Sequence, residues 1–327
     1  MKLLALVLAA VSASAATPAF EARVRSIVDT VAHPKSLENA SISTVAAKLY
    51  LHEDAAWCSS RVVELFAGPQ SGDMFWMFPV TATAYLDRGQ LSAEARSALR
   101  RSWKSYAPYR GDTENHFLLY YTSLYLMSQL YPDDGPETWF TGKSSKDNME
   151  EARQWIEGWV KLTTTRGQGE YDSPHYIQEY LIPVSVLAAW AKDPAMKKRA
   201  SMMLDFLIAD YAPENIDGIT VGAQSRVYDK QLLEKSLNLS SDFLWLWFGL
   251  GRGLTPPGNS TFYYVIASAY EPPEVLRRIA TDRSTPYTHY ERKRTRNRWR
   301  FWDERHGPVY KTTYVRKEYA VGSDQGT

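Results

Sequence analysis

Phe117 to Leu130 reads FLLYYTSLYLMSQL. No charged side chain interrupts it, and wound as a helix it is apolar on nearly every face. A helix of that kind has to be buried. The segments on either side differ. Ala95, Leu99 and Trp103 form a one-sided stripe before it, and Trp155, Trp159 and Leu162 form another after it. One-sided stripes mark helices that face a core with one side and water with the other. Further out the two kinds keep alternating. All-round apolar segments fall at 74–86, 117–130, 177–191 and 232–250, and one-sided segments at 92–106, 147–165 and 195–211. The last of these carries the stripe Met196, Ala200, Met203, Leu204, Leu207, Ile208 and Tyr211, and Pro183 is expected to kink the 177–191 segment. Inner and outer helices in strict alternation predict an all-α (α/α) toroid of helical hairpins over residues 17–285. A helix-pair solenoid is the competing arrangement, but no repeat of fixed period is present.

The ends of the chain read differently. Lys2, the apolar run Leu3 to Val11 and Ala13-Ser14-Ala15 have the order of a secretory signal, so residues 1–16 are expected to be removed on export. That run is too short to span a membrane. Residues 286–327 are expected to be a linker and the start of a β-rich region. Arg292, Lys293, Arg294, Arg296, Arg298 and Arg300 form a basic run there, read as a solvated surface, and Pro308 to Val321 is rich in β-branched and aromatic residues.

Composition narrows the function classes. Net charge is +1, which gives no bulk attraction to nucleic acid or a membrane surface. Cys58 is the single cysteine, so no intramolecular disulfide can form and the core must hold the fold. The six histidines are dispersed, without metal-ligand spacing, and no phosphate-cradling glycine loop occurs, so neither metal nor cofactor is expected. Aromatic residues make up 13% of the chain, a content that suits stacking against sugars as well as core packing. Trp76 and Trp139 are candidates to line such a groove. Asn39, Asn238 and Asn259 head glycosylation sequons.

Three polar clusters lead into all-round apolar segments: Thr113-Glu114-Asn115-His116, Glu170 to Tyr176 (EYDSPHY) and Ser225-Arg226-Val227-Tyr228. Inner helices of a hairpin ring run in one direction, so these clusters are expected to meet on one rim. Thr113 reads as a helix cap, and Ser173-Pro174 as a cap followed by a first-turn proline. Helix N-termini favour anions. Asn115 and Arg226 are the groups suited to neutralise a carboxylate and the enolate-like state formed when a neighbouring proton leaves. Tyr176, His116 and His175 are candidates for proton transfer, with Tyr176 needing a nearby cation to lower its pKa if it acts as base. Glu114, Glu170 and Asp172 offer an alternative acid/base pair, and Tyr228 is a candidate binding residue. Each has a plainer reading as a cap, a packed ring or, for Arg226, a partner of Asp229 or Glu234.

Together, Asn115-His116 opening one buried helix, His175-Tyr176 opening another, and Arg226 in the next loop resemble the secreted (α/α)-toroid polysaccharide lyases. The groups meant are the alginate lyase, chondroitin AC lyase and heparinase II/III-like ones. The resemblance covers roughly residues 18–281. It implies an enzyme in which Asn, His, Tyr and Arg surround the cleavage point of an acidic polysaccharide. It also implies β-elimination without a cofactor, and a β-sandwich after the toroid. Glu114 and Glu170 are not part of that pattern and keep a glycoside hydrolase of the same fold class open. A non-catalytic glycan-binding or scaffold protein is the third reading.

Overall fold

The computed structural model describes residues 16–109, 111, 113–234, 238–251, 259–267, 270–295 and 307–326. The proposed signal, apart from Ala16, lies outside them, as do Arg296, Arg298, Trp299 and Arg300 of the basic run. The described chain is mostly helical and ends in a short antiparallel sheet. The helices are α1 (Pro18–Ala32), α2 (Ile42–Leu51), α3 (Ala55–Leu65), α4 (Met77–Leu86), α5 (Ala93–Ser105), α6 (Glu114–Leu130), α7 (Ser145–Arg166), α8 (Gln178–Trp190), α9 (Pro194–Tyr211), α10 (Asp229–Leu233), α11 (Leu239–Phe248), α12 (Asn259–Ala267) and α13 (Glu274–Thr281).

Local chemistry explains many of the helix starts. Ser92, Ser144 and Asp193 accept hydrogen bonds from the backbone N–H groups of Ala95, Asp147 and Ala195, and so cap α5, α7 and α9. Pro194 opens α9 at the first-turn position, where its missing N–H costs nothing. Packing follows the hydrophobic pattern. α6 is buried along almost its whole length, and α4 and α8 are nearly as enclosed. α5, α7 and α9 bury one stripe each: Ala95, Leu99 and Trp103; Trp155, Ile156 and Trp159; and Met203, Leu204 and Leu207. α2 packs on α4, α4 on α6, α6 on α8 and α8 on α12, while α12 touches α2. α3 also contacts α2, α7 contacts α6 and α9 contacts α8. The segment expected as one inner helix over 232–250 is two helices, α10 and α11, and only α11 buries apolar residues.

The strands are few. β1 (Ser71–Asp73) pairs in parallel with β2 (Ala107–Tyr109), and β3 (Asn215–Ile216) pairs antiparallel with β4 (Ile219–Thr220). β5 (Tyr287–Arg294), β6 (Pro308–Val315) and β7 (Ala320–Gly326) form the C-terminal sheet in sequence order. Residues 287–294, expected as linker and solvated basic run, are therefore a strand. Its alternation turns Tyr287, His289, Glu291 and Lys293 toward the helices and leaves Thr288, Tyr290 and Arg292 outside. On β6 the inward set is Val309, Lys311, Thr313 and Val315. β7 closes down on the helical part where Gly322 meets Gly222. A Cβ on Gly322 would come within 2.5 Å of the Gly222 Cα. Among the described residues no helix is long and apolar enough to cross a membrane.

Candidate functional site

The first cluster opens α6. Thr113 is its N-cap by backbone conformation, but its hydroxyl turns to the Asn115 side chain at 3.2 Å rather than to a helix N–H. Glu114 and Asn115 are both fully buried. Glu114 accepts from the Trp159 indole N–H at 2.8 Å, from the Gly169 N–H at 3.2 Å and from Arg294. Burial raises its pKa, against the opposing pull of Arg294. His116 is half-buried and meets the ring of Phe75 edge-on at 5.7 Å.

The second cluster is a loop followed by a turn. The structure moves the helix start from the expected Ser173-Pro174 to Gln178. Ser173 still caps locally: its hydroxyl accepts from the Tyr176 N–H at 3.0 Å, and its carbonyl from the Ile177 N–H at 3.2 Å. His175 and Tyr176 therefore sit in a turn ahead of α8. Glu170 is fully buried. One of its carboxylate oxygens receives the Asn115 amide and the Tyr180 hydroxyl (2.8 Å), and the other receives Arg226 Nη1 at 2.6 Å.

Glu170 thus joins the three clusters. Arg226 pairs with it, and not with Asp229 or Glu234. The same guanidinium lies over the Tyr176 ring, 3.6 Å from its centroid. The Tyr176 hydroxyl meets that of Tyr228 at 2.5 Å, and the His175 ring stands edge-on to both tyrosines, 5.0 Å and 5.8 Å away. Arg226 and Asp172 hold left-handed backbone conformations, φ 50° and 48°, which side chains other than glycine adopt at a cost. Tyr228 is 49% exposed and forms the open margin of the group.

Proton affinities follow from this layout. Burial, then the Arg226 charge, lowers the His175 pKa, so the imidazole is neutral at neutral pH. Tyr176 moves the opposite way to the lowering that a base role was expected to need. Burial and the bond to Tyr228 outweigh Arg226 and push it up to about 12. Burial works against the Arg226 charge, but Glu170 and the phenols hold its pKa above the ordinary value.

Other expected site residues have different surroundings. Trp139 has no exposed surface. Its indole donates to the Ser145 hydroxyl at 3.1 Å, and Arg100 lies 4.3 Å above its ring. It is a core residue with no face for a sugar to stack on. Trp76 is half-buried, stacks on Tyr106 at 4.3 Å and donates to Gln70 at 3.0 Å. Asn115, expected against the substrate carboxylate, is sealed and holds the Glu170 carboxylate instead. Of the sequon asparagines, Asn39 is exposed, whereas Asn238 is buried, with its amide donating to the Gln231 carbonyl at 3.2 Å. The Asn259 side chain lies outside the described residues.

The group that sequence reasoning missed lies beneath the C-terminal sheet. Lys311, with no exposed side-chain surface, reaches Asp172 at 2.6 Å, Glu291 at 2.8 Å and Glu214. Lys293 reaches Asp210 at 2.6 Å and Glu291 at 2.7 Å, and lies 3.6 Å from Asp172. His289 contacts Glu214 at 3.2 Å. Asp172 is thus anchored from the sheet two residues beyond Glu170, while Arg294 anchors Glu114 beside Asn115. Two trios, Glu214–His289–Glu291 and Asp172–Asp210–Glu291, lie close enough to hold a metal ion. In each, a lysine ammonium already supplies the positive charge. The one signal for this cluster in the sequence was the period-two placement of His289, Glu291 and Lys293. Against protein-family models, curated proteins and solved structures, the chain finds no match.

Proposed function

We propose that this protein is a secreted carbohydrate-active enzyme that cleaves a uronate-containing polysaccharide by β-elimination, on an (α/α) toroid. The toroid is supported by the run of contacts α2–α4–α6–α8–α12 with its return from α12 to α2, and by the contacts of α3 with α2, α7 with α6 and α9 with α8. Export is supported by Lys2, the apolar run Leu3 to Val11 and the small residues that follow.

The observation that carries the chemistry is Arg226 set between Glu170 and the Tyr176 ring, beside a neutral His175. β-Elimination needs a base for the proton next to the carboxylate, a cation for the charge that develops, and an acid for the leaving oxygen. His175, neutral at neutral pH, is the base. It takes the proton, and the freed electron pair forms a double bond to the adjacent carbon. The bond from that carbon to the bridging oxygen breaks, and the Tyr176 hydroxyl protonates the oxygen. A phenol with a raised pKa keeps its proton for this step. Arg226, whose side chain is 18% exposed, faces the substrate carboxylate with its outer edge. Asn115 and Glu170 act behind it by fixing its position.

The hydrolase alternative draws less support. Glu114 and Glu170 are fully buried and Asp172 nearly so, and each bonds to a cation. The test is Tyr176→Phe assayed on alginate, glycosaminoglycans and other uronate polymers by near-ultraviolet absorbance of the unsaturated product. Turnover should fall about 10²- to 10⁴-fold with substrate binding retained. Saturated products from the wild-type protein would reject elimination, and full activity in Tyr176→Phe would remove that residue from the mechanism.

A further inference from the structure

Tyr171 takes no part in the elimination steps, yet it touches both loops that carry them. It stands between Glu170, which pairs with Arg226, and Asp172, which pairs with Lys311. The residue is buried, and its hydroxyl donates to the Asp324 carboxylate at 2.8 Å. Asp324 lies on β7 opposite Lys311, so this bond fastens the loop ahead of α8 to the last strand. The Tyr171 carbonyl accepts twice from Ser225, from its N–H at 3.0 Å and from its hydroxyl at 2.9 Å. Ser225 is the residue before Arg226.

Arg226 needs such a hold. Its left-handed backbone, φ 50°, is disfavoured for any residue with a Cβ and persists only where the surroundings fix it. Ser173 grips the Arg226 carbonyl through its hydroxyl at 3.2 Å. Tyr171 grips the preceding residue through two bonds. The peptide that carries the Tyr171 carbonyl leads into Asp172, which is itself left-handed at φ 48°. Because a peptide is planar, turning it over would point that carbonyl away from Ser225. The ion pairs of Glu170 and Asp172 act on their own side chains. The bond to Asp324 acts on Tyr171 itself.

We propose that Tyr171 is a positioning residue for Arg226: its carbonyl holds Ser225, and with it the left-handed turn at Arg226, while Asp324 of the last strand holds Tyr171. This rests on the reading above that Arg226 faces the substrate carboxylate. Tyr171→Phe and Asp324→Ala remove the bond between the two, and Asp324→Asn keeps an acceptor oxygen. Amide exchange at Ser225 reads the hold without any substrate. It should speed at least about tenfold in Tyr171→Phe and in Asp324→Ala, with the α6 amides unchanged. In Asp324→Asn it should stay close to the wild-type rate. In turnover of a uronate polymer, Tyr171→Phe should lower kcat about tenfold. Added to Arg226→Ala it should cost nothing more, because its effect passes through that side chain. If Tyr171→Phe does not fold, Asp324→Ala carries both measurements. Unchanged exchange at Ser225, exchange that speeds equally in α6, or losses that multiply in the double variant would each overturn the proposal. Wild-type protein that makes no unsaturated product rejects the elimination reading alone, and Ser225 exchange then still decides the hold on Arg226.

Discussion

Replacing Lys311 by Met keeps an unbranched side chain one heavy atom shorter and removes the ammonium with its hydrogen bonds. Asp172 and Glu291 then lose an ammonium at 2.6 Å and 2.8 Å, and Glu214 loses the same partner. Lys293 remains, but it already serves Asp210 and Glu291. The least costly repair is for one carboxyl of the cluster to take a proton. Burial already pushes the Asp172 pKa up to about 7, so Asp172 is the carboxyl that takes the proton. Deleting one partner of a buried ion pair costs roughly 3–5 kcal/mol. The sign with pH is fixed. The proton becomes easier to acquire as pH falls, so the deficit should shrink between pH 7 and pH 5. Denaturant unfolding of Lys311→Met and wild type at the two pH values measures it. A deficit under about 1 kcal/mol at neutral pH, or one that grows on acidification, would refute the account of Lys311 as the counter-charge of this cluster.

Trp139→Ala should cost about 3–5 kcal/mol by opening a cavity in the core, read by the same unfolding experiment. A change below about 1 kcal/mol would mean that the ring lies at a surface after all. Gly322→Ala should destabilise the contact between β7 and the Gly222 loop by about 1–3 kcal/mol. It should also speed amide exchange in β7 before that in α6, and equal protection in variant and wild type would show that the close approach is not maintained.

Helices α4 to α9 were legible because their signal is local. FLLYYTSLYLMSQL has no polar face in any helical register, and it is buried from Phe117 to Gln129. The stripe from Met196 to Tyr211 was read residue for residue. The strand Tyr287–Arg294 was not read, because alternating charges lower strand propensity and mimic a solvated surface. What buries Lys293 and Arg294 is a set of acids at positions 114, 172 and 210, and such distant pairings leave no trace in a local window. In the site, the three clusters could be named from their places ahead of apolar segments. The joint between them could not, because Glu170 reaches Asn115 and Arg226 across 55 and 56 residues of chain. Tyr176 shows the same limit: a base role required a lowered pKa, and burial with the Tyr228 bond raises it instead.

The bond between Glu114 and Arg294 also has a temporal meaning. The two residues are 180 positions apart, so a ribosome adding roughly 5–20 residues per second makes the acid about 10–40 s before the base. Through that interval α6 can form, yet the carboxylate at its head has no guanidinium to meet, and Asp172 waits similarly for Lys311. Such an acid stays at a wet surface or keeps a proton until its counter-charge arrives. The final assembly of the region around Glu170 is therefore an event of late synthesis, timed by the emergence of the last strands.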